Sequence, residues 1–197
     1  MSRIPFVGLT GGIAAGKSTA LEALARLGAA TLSADAVVHD LYTESVIRDA
    51  VVERWGTEVA PDGAIDRKAV AARAFADPAE RAWLEGLLWP RVGNAITRWH
   101  GEQERRQPAP PAIVAEVPLL FEAGMDPVFD ATIAVIVSED VRRKRADERA
   151  MRAAGEREAR QLTPSEKAAR ADHVVHNNGS VEELEAALAE VLVKLQV

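Results

Sequence analysis

The chain has 197 residues, of which 48% are hydrophobic and 27% charged, with a formal net charge of −6 and no cysteine. This length and hydrophobic content support a folded domain and exclude a disordered chain, while the lack of cysteine excludes a disulfide framework, thiol catalysis and cysteine-bound metals. The negative charge argues against a nucleic-acid partner. Because no apolar run approaches the ~18 residues of a membrane span and no signal-peptide apolar region is present, we expect a cytoplasmic protein without membrane contact; its oligomeric state is open.

The first predicted elements are a strand and a helix that flank a glycine-containing loop. Residues 4–9 form a short apolar run typical of a buried strand, and apolar residues recur at helical spacing from Lys17 to a predicted C-cap at Gly28. This stretch matches G-x-x-x-x-G-K-[ST], the phosphate-binding loop of P-loop enzymes. The loop residues are Gly11, Gly12, Ile13, Ala14, Ala15, Gly16, Lys17 and Ser18.

Each part of this loop has a separate task on one ligand. Glycine lets the backbone turn with positive φ and bring N–H groups against phosphate oxygens, and the following helix directs the positive end of its dipole at the anion. Lys17 is expected to reach the β- and γ-phosphates of ATP, and Ser18 to bind Mg²⁺. The alternative is a glycine-rich turn that binds nothing, which the strand–loop–helix context disfavours.

A second strand is predicted at residues 29–33, and Asp35 follows it. A kinase needs a group that orients or deprotonates the acceptor hydroxyl, and Asp35 is the best candidate for this task. Its alternative role is an N-cap of the helix that follows. The two roles are compatible.

A mostly helical stretch follows over about residues 36–107. A turn is predicted at 61–63, and a helix is predicted to begin at Pro78. All four tryptophans lie in this stretch, and we expect them to be core residues. An inserted helical region beside the phosphate edge of a sheet is a suitable docking place for an acceptor.

Three further strands are predicted at 112–117, 131–137 and 173–176, before a closing helix capped by Ser180. Alternating strands and helices predict an α/β fold, namely a P-loop-type three-layer sandwich with a five-stranded parallel sheet. Ligands bind at the carboxyl ends of such strands. We therefore expect the loop, Asp35 and Glu116 to meet at one edge.

Glu116 ends the third predicted strand. An acidic residue at such a place can hold a Mg²⁺-bound water, so we predict that Ser18 and Glu116 form the metal site. The alternative is a solvated carboxylate at a strand end.

Residues 142–170 carry 10 of the 24 basic residues of the chain, mixed with acidic ones. A solvated helix face is the usual meaning of such a run. Arg145 and Arg149 are four residues apart, however, and share one helical face. Because arginine stabilises charge in phosphoryl transfer, we predict that this segment is a lid over ATP.

The sequence resembles the dephospho-CoA kinase family over essentially its whole length. The matching stretches are the loop from Gly8 through Thr19, Ala34-Asp35, Asp62 to Arg67, Val117-Pro118-Leu119-Leu120-Phe121-Glu122, the spacing of Arg145, Arg149, Arg157 and Gln161, and Ala171-Asp172 followed by Asn177-Asn178-Gly179. The loop alone indicates only nucleotide binding. The V-P-L-L-F-E and A-D…N-N-G stretches make the resemblance specific.

The resemblance implies transfer of the ATP γ-phosphate to the 3′-hydroxyl of the dephospho-CoA ribose, with Mg²⁺ and with Asp35 as the base. It implies that Lys17, Arg145 and Arg149 act in catalysis and that Thr19 and Asn178 join the loop in binding the nucleotide. It also implies a nucleotide-binding core at 1–40 and 108–197, a helical acceptor subdomain at 41–107 and a lid at 140–165, within one kinase domain.

The sequence departs from the family pattern at three positions. Ser33 replaces the first aspartate of an Asp-Ala-Asp motif, Ala14 replaces a common loop glycine, and Trp89 precedes Pro90 where histidine is usual. We expect Ala14 to keep a negative φ, because a side chain disfavours the positive region.

Two other functions stay open on the residues alone. One is another small-molecule P-loop kinase that acts on a nucleoside or nucleoside monophosphate. The other is a nucleotide-dependent switch, which would leave Asp35 without a role.

Overall fold

The structure is a computed structural model that describes residues 3–141 and 161–196. The arginines predicted to act in a lid, Arg145, Arg149 and Arg157, lie outside the described residues. Most of the predicted lid segment lies outside them as well.

The described residues form five parallel strands and a set of helices. The strands are β1 (Phe6–Gly11), β2 (Ala30–Ser33), β3 (Ile113–Glu116), β4 (Ala131–Ile136) and β5 (His173–His176). The helices are α1 (Lys17–Arg26), α2 (Ala34–Leu41), α3 (Ser45–Trp55), α4 (Arg67–Ala76), α5 (Pro78–Gln103), α6 (Pro164–Arg170) and α7 (Val181–Leu195), with short 3₁₀ turns at Thr57–Val59 and Asp126–Val128.

The strand order is β2-β3-β1-β4-β5, and every pair is parallel. The first strand is therefore central, with Leu9 beside Glu116 of β3 on one side and Ile133 of β4 on the other. This confirms the predicted five-stranded parallel sheet. The other predicted elements occur close to where the sequence placed them, including the helix that begins at Pro78. The first strand is shifted to Phe6–Gly11 from the predicted 4–9, and the C-cap of α1 is Leu27, one residue before the predicted Gly28.

One face of the sheet packs against α1 and α7. Because side chains alternate along a strand, Val7 and Leu9 of β1 both point to this face, and both are fully buried. Leu24 of α1 and Leu188 of α7 complete the same core. The N-terminus of α7 is fixed by a capping box of Ser180 and Glu183, which confirms the predicted cap.

The other face carries the alternate residues of β1. A Cβ on Gly8 would lie 2.5 Å from Leu120 Cδ1 and 2.9 Å from Phe129 Cδ2, so glycine lets the segment after β3 pack directly on the strand. Phe6 stacks on His100, with ring centroids 4.1 Å apart. The central strand is thus buried on both sides, as a parallel sheet requires.

The chain divides into two compact units. The first comprises Met1–Ser33 and Trp99–Val197 and contains the whole sheet with α1, α6 and α7. The second, Ala34–Arg98, contains α2, α3, α4 and most of α5. None of the helices described is both long and apolar enough to span a bilayer.

Residues 62–67 of the second unit form a turn followed by the start of a helix. Gly63 has φ 76°, a left-handed turn conformation that glycine adopts at little cost. The carboxylate of Asp66 accepts hydrogen bonds from the N–H groups of Lys68 (2.8 Å) and Ala69 (3.3 Å) and so caps α4. The pattern therefore encodes a turn and a helix start.

The expectation that all four tryptophans are core residues is wrong for Trp89, which is 40% exposed. The buried stripe of α5 runs through Leu88, Val92 and Ile96, four residues apart, and Trp89 lies one position off that stripe. Trp55, by contrast, is buried and donates to Glu80 Oε2 at 2.6 Å.

Asp172 joins β4 to the segment that begins β5. Its Oδ2 accepts hydrogen bonds from the backbone N–H (2.8 Å) and the hydroxyl (2.7 Å) of Thr132, and its own N–H donates to that hydroxyl at 3.0 Å. The hydrogen bond from the Thr132 hydroxyl lowers the pKa of Asp172 below its ordinary value. This pair accounts for the A-D stretch as a structural element.

We predict that Thr132→Val lowers the free energy of unfolding by about 1–2 kcal/mol at neutral pH, because it removes both hydroxyl hydrogen bonds. Since the folded pKa of Asp172 is depressed, its contribution is present above the unfolded pKa of about 3.9 and is lost as the pH falls through the folded pKa. Urea denaturation at neutral pH and below about pH 4 should therefore show the difference from wild type shrinking in acid. Thr132→Ser, which keeps the hydroxyl, is the control; a difference that stays constant with pH would contradict the assignment.

Candidate active site

The phosphate-binding motif forms a tight loop between β1, which ends at Gly11, and α1, which begins at Lys17. Gly16 caps α1 with φ 87°, and the N–H of Ala15 donates to the carbonyl of Gly12 at 3.2 Å. Lys17 Nζ donates to the carbonyls of Gly11 (3.0 Å) and Gly12 (3.1 Å). The loop is thus folded around the start of α1, where helix N–H groups and the helix dipole favour an anion.

Gly11 shows a strict steric requirement. A Cβ at this position would overlap the backbone carbonyl oxygen of Val135 on β4 and lie 3.3 Å from Lys17 Cγ. Backbone atoms of β4, a strand paired on both sides, cannot move aside cheaply. Glycine is needed here because the loop leaves the sheet in close contact with the neighbouring strand.

Ala14 has φ 61°, so the expectation of a negative φ is wrong. It is the one non-glycine residue with positive φ in the described part of the chain. The left-handed region costs an alanine about 1–2 kcal/mol relative to its preferred conformations. The loop keeps the geometry that a glycine would adopt freely, which means that surrounding contacts hold it there.

Glu116 ends β3 and is only 6% exposed, so the alternative of a solvated carboxylate is wrong. Its Oε2 accepts a hydrogen bond of 2.9 Å from the hydroxyl of Ser33, the last residue of β2. The serine therefore stands against the Glu116 carboxylate, where an aspartate would place a second negative charge. A hydroxyl orients this carboxylate without repelling it.

Asp35 lies in the first turn of α2, two residues after the end of β2. Asp35 is an exposed residue. Because the helix already begins at Ala34, Asp35 is inside the first turn rather than at the N-cap position. A carboxylate in a first turn is favoured by the helix dipole.

The N-N-G stretch after β5 contacts the phosphate-binding loop through Asn177. Its Nδ2 donates to the carbonyl of Ala15 at 2.8 Å, and the residue is buried. Asn178, which the sequence pattern predicts as a nucleotide contact, accepts a hydrogen bond from the N–H of Ser138 at 2.7 Å through Oδ1. The structure thus identifies Asn177 as a residue that contacts the loop. In the sequence, only the resemblance of the whole N-N-G stretch indicated that this residue has a role.

A second addition is Lys167 of α6, which sequence reasoning grouped with a solvated basic run. Its side chain is fully buried, and its Nζ donates to the carbonyl of Pro118 (2.7 Å) and lies 3.0 Å from a carboxylate oxygen of Glu122. Burial lowers its pKa, and the Glu122 carboxylate opposes that shift. The same Nζ is 3.3 Å from the hydroxyl of Thr10, one residue before the end of β1.

Glu122 links this lysine to the segment that precedes α6. Its Oε1 accepts the N–H of Leu162 at 2.8 Å, so one carboxylate holds two positions of the 161–167 stretch. Pro164 lies at the phosphate-binding loop, since a Cβ on Gly12 would be 3.7 Å from Pro164 Cγ. Glu122 ends the V-P-L-L-F-E stretch, and the sequence of that stretch alone does not predict its contact with Lys167.

We predict that Ala14→Gly raises the free energy of unfolding by about 0.5–1 kcal/mol. It relieves the left-handed alanine, worth about 1–2 kcal/mol, and that gain exceeds the roughly 0.4–1 kcal/mol by which glycine stabilises the unfolded chain. Urea denaturation measures the difference. The matched control is Ala15→Gly, which should destabilise because Ala15 is buried and lacks a positive φ; destabilisation by Ala14→Gly would contradict the observed loop geometry.

Comparison of the sequence with known proteins points to one family. The family model for dephospho-CoA kinase matches residues 5–183. A dephospho-CoA kinase of Anaeromyxobacter dehalogenans is 40% identical over 197 residues, covering 96% of this chain and 92% of that protein. Another from Symbiobacterium thermophilum is 38% identical over 185 residues, covering 91% of this chain and 77% of that protein.

A solved structure has a similar fold. The crystal structure of TT1252 from Thermus thermophilus has a TM-score of 0.78 and 32% identity, and the match covers 99% of this chain and 100% of that one. The alternative of a nucleoside or nucleoside-monophosphate kinase is therefore not favoured. On its sequence, its fold and the placement of its phosphate-binding loop, this chain belongs to the dephospho-CoA kinase family.

Proposed function

We propose that this protein transfers the γ-phosphate of ATP to the 3′-hydroxyl of the ribose of dephospho-CoA and releases CoA and ADP. The observation that carries the proposal is the folded phosphate-binding loop between β1 and α1, with Lys17 Nζ at its rim, in a chain of this family. A kinase of this kind needs positioning and charge neutralisation more than covalent help from the protein.

On the donor side, the loop N–H groups and the N-terminus of α1 would bind the β- and γ-phosphates. As ATP enters, Lys17 Nζ would leave the carbonyls of Gly11 and Gly12 and donate to phosphate oxygens instead. Residues Gly11 through Thr19 enclose this site, and we propose that Asn178 borders the nucleotide. Arg145 and Arg149 would add positive charge from a lid.

Mg²⁺ fits the donor set at the same edge. Ser18 offers an exposed hydroxyl in the first turn of α1, and Glu116 offers a carboxylate that Ser33 orients. Two hard oxygen groups with room for waters are what Mg²⁺ prefers in nucleotide sites. When bound, the ion neutralises charge on the phosphates.

On the acceptor side, Asp35 would act as general base. As the 3′-oxygen attacks the γ-phosphorus, its proton passes to the Asp35 carboxylate, and the bond from the γ-phosphorus to the β,γ-bridging oxygen breaks to release ADP. The helical stretch 41–107 would hold the CoA moiety. We infer a cytoplasmic enzyme whose partner is this small molecule, without nucleic acid or membrane.

An acceptor panel tests the reaction directly. ADP release should be supported by dephospho-CoA and not by AMP, CMP or nucleosides at equal concentration. Activity with a nucleotide acceptor alone would overturn the proposal.

We predict that Asp35→Asn lowers kcat by roughly 10²–10⁴-fold, the usual worth of a general base. ATP affinity should stay at the wild-type value, because the loop is untouched. Coupled ADP-release kinetics and calorimetric ATP titration separate the two quantities. Asp40→Asn, an exposed carboxylate on the same helix, is the matched control and should leave kcat unchanged; equal turnover of Asp35→Asn and wild type would remove Asp35 from the mechanism.

Lys17→Ala should weaken ATP binding by roughly 10- to 100-fold, which corresponds to loss of a hydrogen bond to a charged group. Turnover should fall with it, since the lysine also faces the transferred phosphate. Lys194→Ala, an exposed lysine of α7, is the control for loss of one positive charge. Undiminished ATP affinity in Lys17→Ala would contradict the assignment of the loop.

A further inference from the structure

Asn177 is held on both its main chain and its side chain. Its N–H donates to the carbonyl of Ile136 at 2.8 Å and so extends the β4–β5 pairing by one residue. Its side-chain Nδ2 donates to the carbonyl of Ala15 at 2.8 Å, and the residue is 5% exposed. A buried hydrogen bond therefore ties the phosphate-binding loop to the far side of β4.

The residue next to this bond is the one with an unfavourable backbone. Ala14 has φ 61°, a conformation that alanine disfavours by roughly a factor of 5–30 in its conformational equilibrium. On its other side, the N–H of Ala15 donates to the carbonyl of Gly12. Such a conformation persists only where surrounding contacts fix it. The side-chain amide of Asn177 supplies one such contact, because it donates to the carbonyl of Ala15, the residue that follows Ala14.

We propose that Asn177 is a positioning residue for ATP: it holds the phosphate-binding loop in its left-handed turn at Ala14, ready for the phosphates, without touching the nucleotide. This rests on the proposed function insofar as the ligand of the loop is ATP. The enzyme would thereby use an asparagine just after β5 to fix a loop conformation that glycine adopts freely and that alanine disfavours.

The proposal predicts a specific dependence of ATP affinity on two residues. In Asn177→Leu, which keeps the size and removes the donor, the loop can leave the strained conformation, and ATP must restore it on binding. We expect the dissociation constant for ATP to rise about tenfold, the scale of one hydrogen bond plus part of the conformational preference. In the Ala14→Gly background the same change should raise it only about twofold to threefold, because glycine adopts the turn freely.

The experiment is calorimetric titration of the full chain with ATP and Mg²⁺ for wild type, both single variants and the double variant. Thr132→Val is the matched control, because it also removes side-chain hydrogen bonds between the β4 and β5 segments, but those bonds are made with Asp172 and not with the loop; it should bind ATP as wild type does. Circular dichroism and urea denaturation check folding. If Asn177→Leu does not fold, Asn177→Asp, which keeps the shape but sets a carboxylate oxygen against the Ala15 carbonyl, should show at least the same loss.

The outcomes are distinct. A folded Asn177→Leu with ATP affinity within twofold of wild type would overturn the proposal. An equal loss in the Ala14 and Ala14→Gly backgrounds would do so as well, because it would assign the effect to general destabilisation. Failure of wild type itself to bind ATP would instead overturn the proposed function.

Discussion

The site depends on how the central strand ends. At Gly11 the backbone of β1 passes so close to the carbonyl of Val135 that no side chain fits, and from there the chain turns directly into α1. This one contact sets the loop against the sheet and aims the start of α1 at the space above the carboxyl ends of the strands. Because β1 lies between β3 and β4, its neighbours bring Glu116 to one side of the loop and the Asn177 segment to the other. An anion site made of backbone N–H groups requires this placement, since such groups cannot reach out as side chains do.

Buried polar contacts then hold the loop. Asn177 fixes the carbonyl of Ala15, and Lys167 joins Thr10 of β1 to the segment after β3. Each of these groups is buried, so each would be costly to leave unpaired. The left-handed conformation of Ala14 costs about 1–2 kcal/mol, which is comparable to the energy of one such hydrogen bond. The energetic cost of the Ala14 conformation is therefore close to the energy of the hydrogen bonds that hold the loop. Small changes at Ala14 or at those hydrogen bonds are expected to affect ligand binding.

Much of this was accessible from the sequence. The buried β-branched run at β4, the spacing of the loop and the Ser180 cap predict the sheet, the phosphate site and the closing helix, because local pattern and tertiary role agree there. The sequence did not predict contacts between residues far apart in the chain. Asn177 and Ala15 are 162 residues apart, Lys167 and Glu122 are 45 apart, and neither pair has a local signal. The prediction of a negative φ at Ala14 was wrong for a related reason. The intrinsic preference of alanine favours a negative φ, and tertiary contacts override that preference.

The central claim is that the loop and Asp35 together phosphorylate the 3′-hydroxyl of dephospho-CoA. The most direct measurement is ³¹P NMR of the product formed from ATP and dephospho-CoA by wild type and by Asp35→Asn. The account predicts a new phosphomonoester on the 3′-oxygen of the ribose with wild type, appearing at least roughly 10²-fold more slowly with the variant. A phosphate on any other atom, or an equal rate with both proteins, would contradict it.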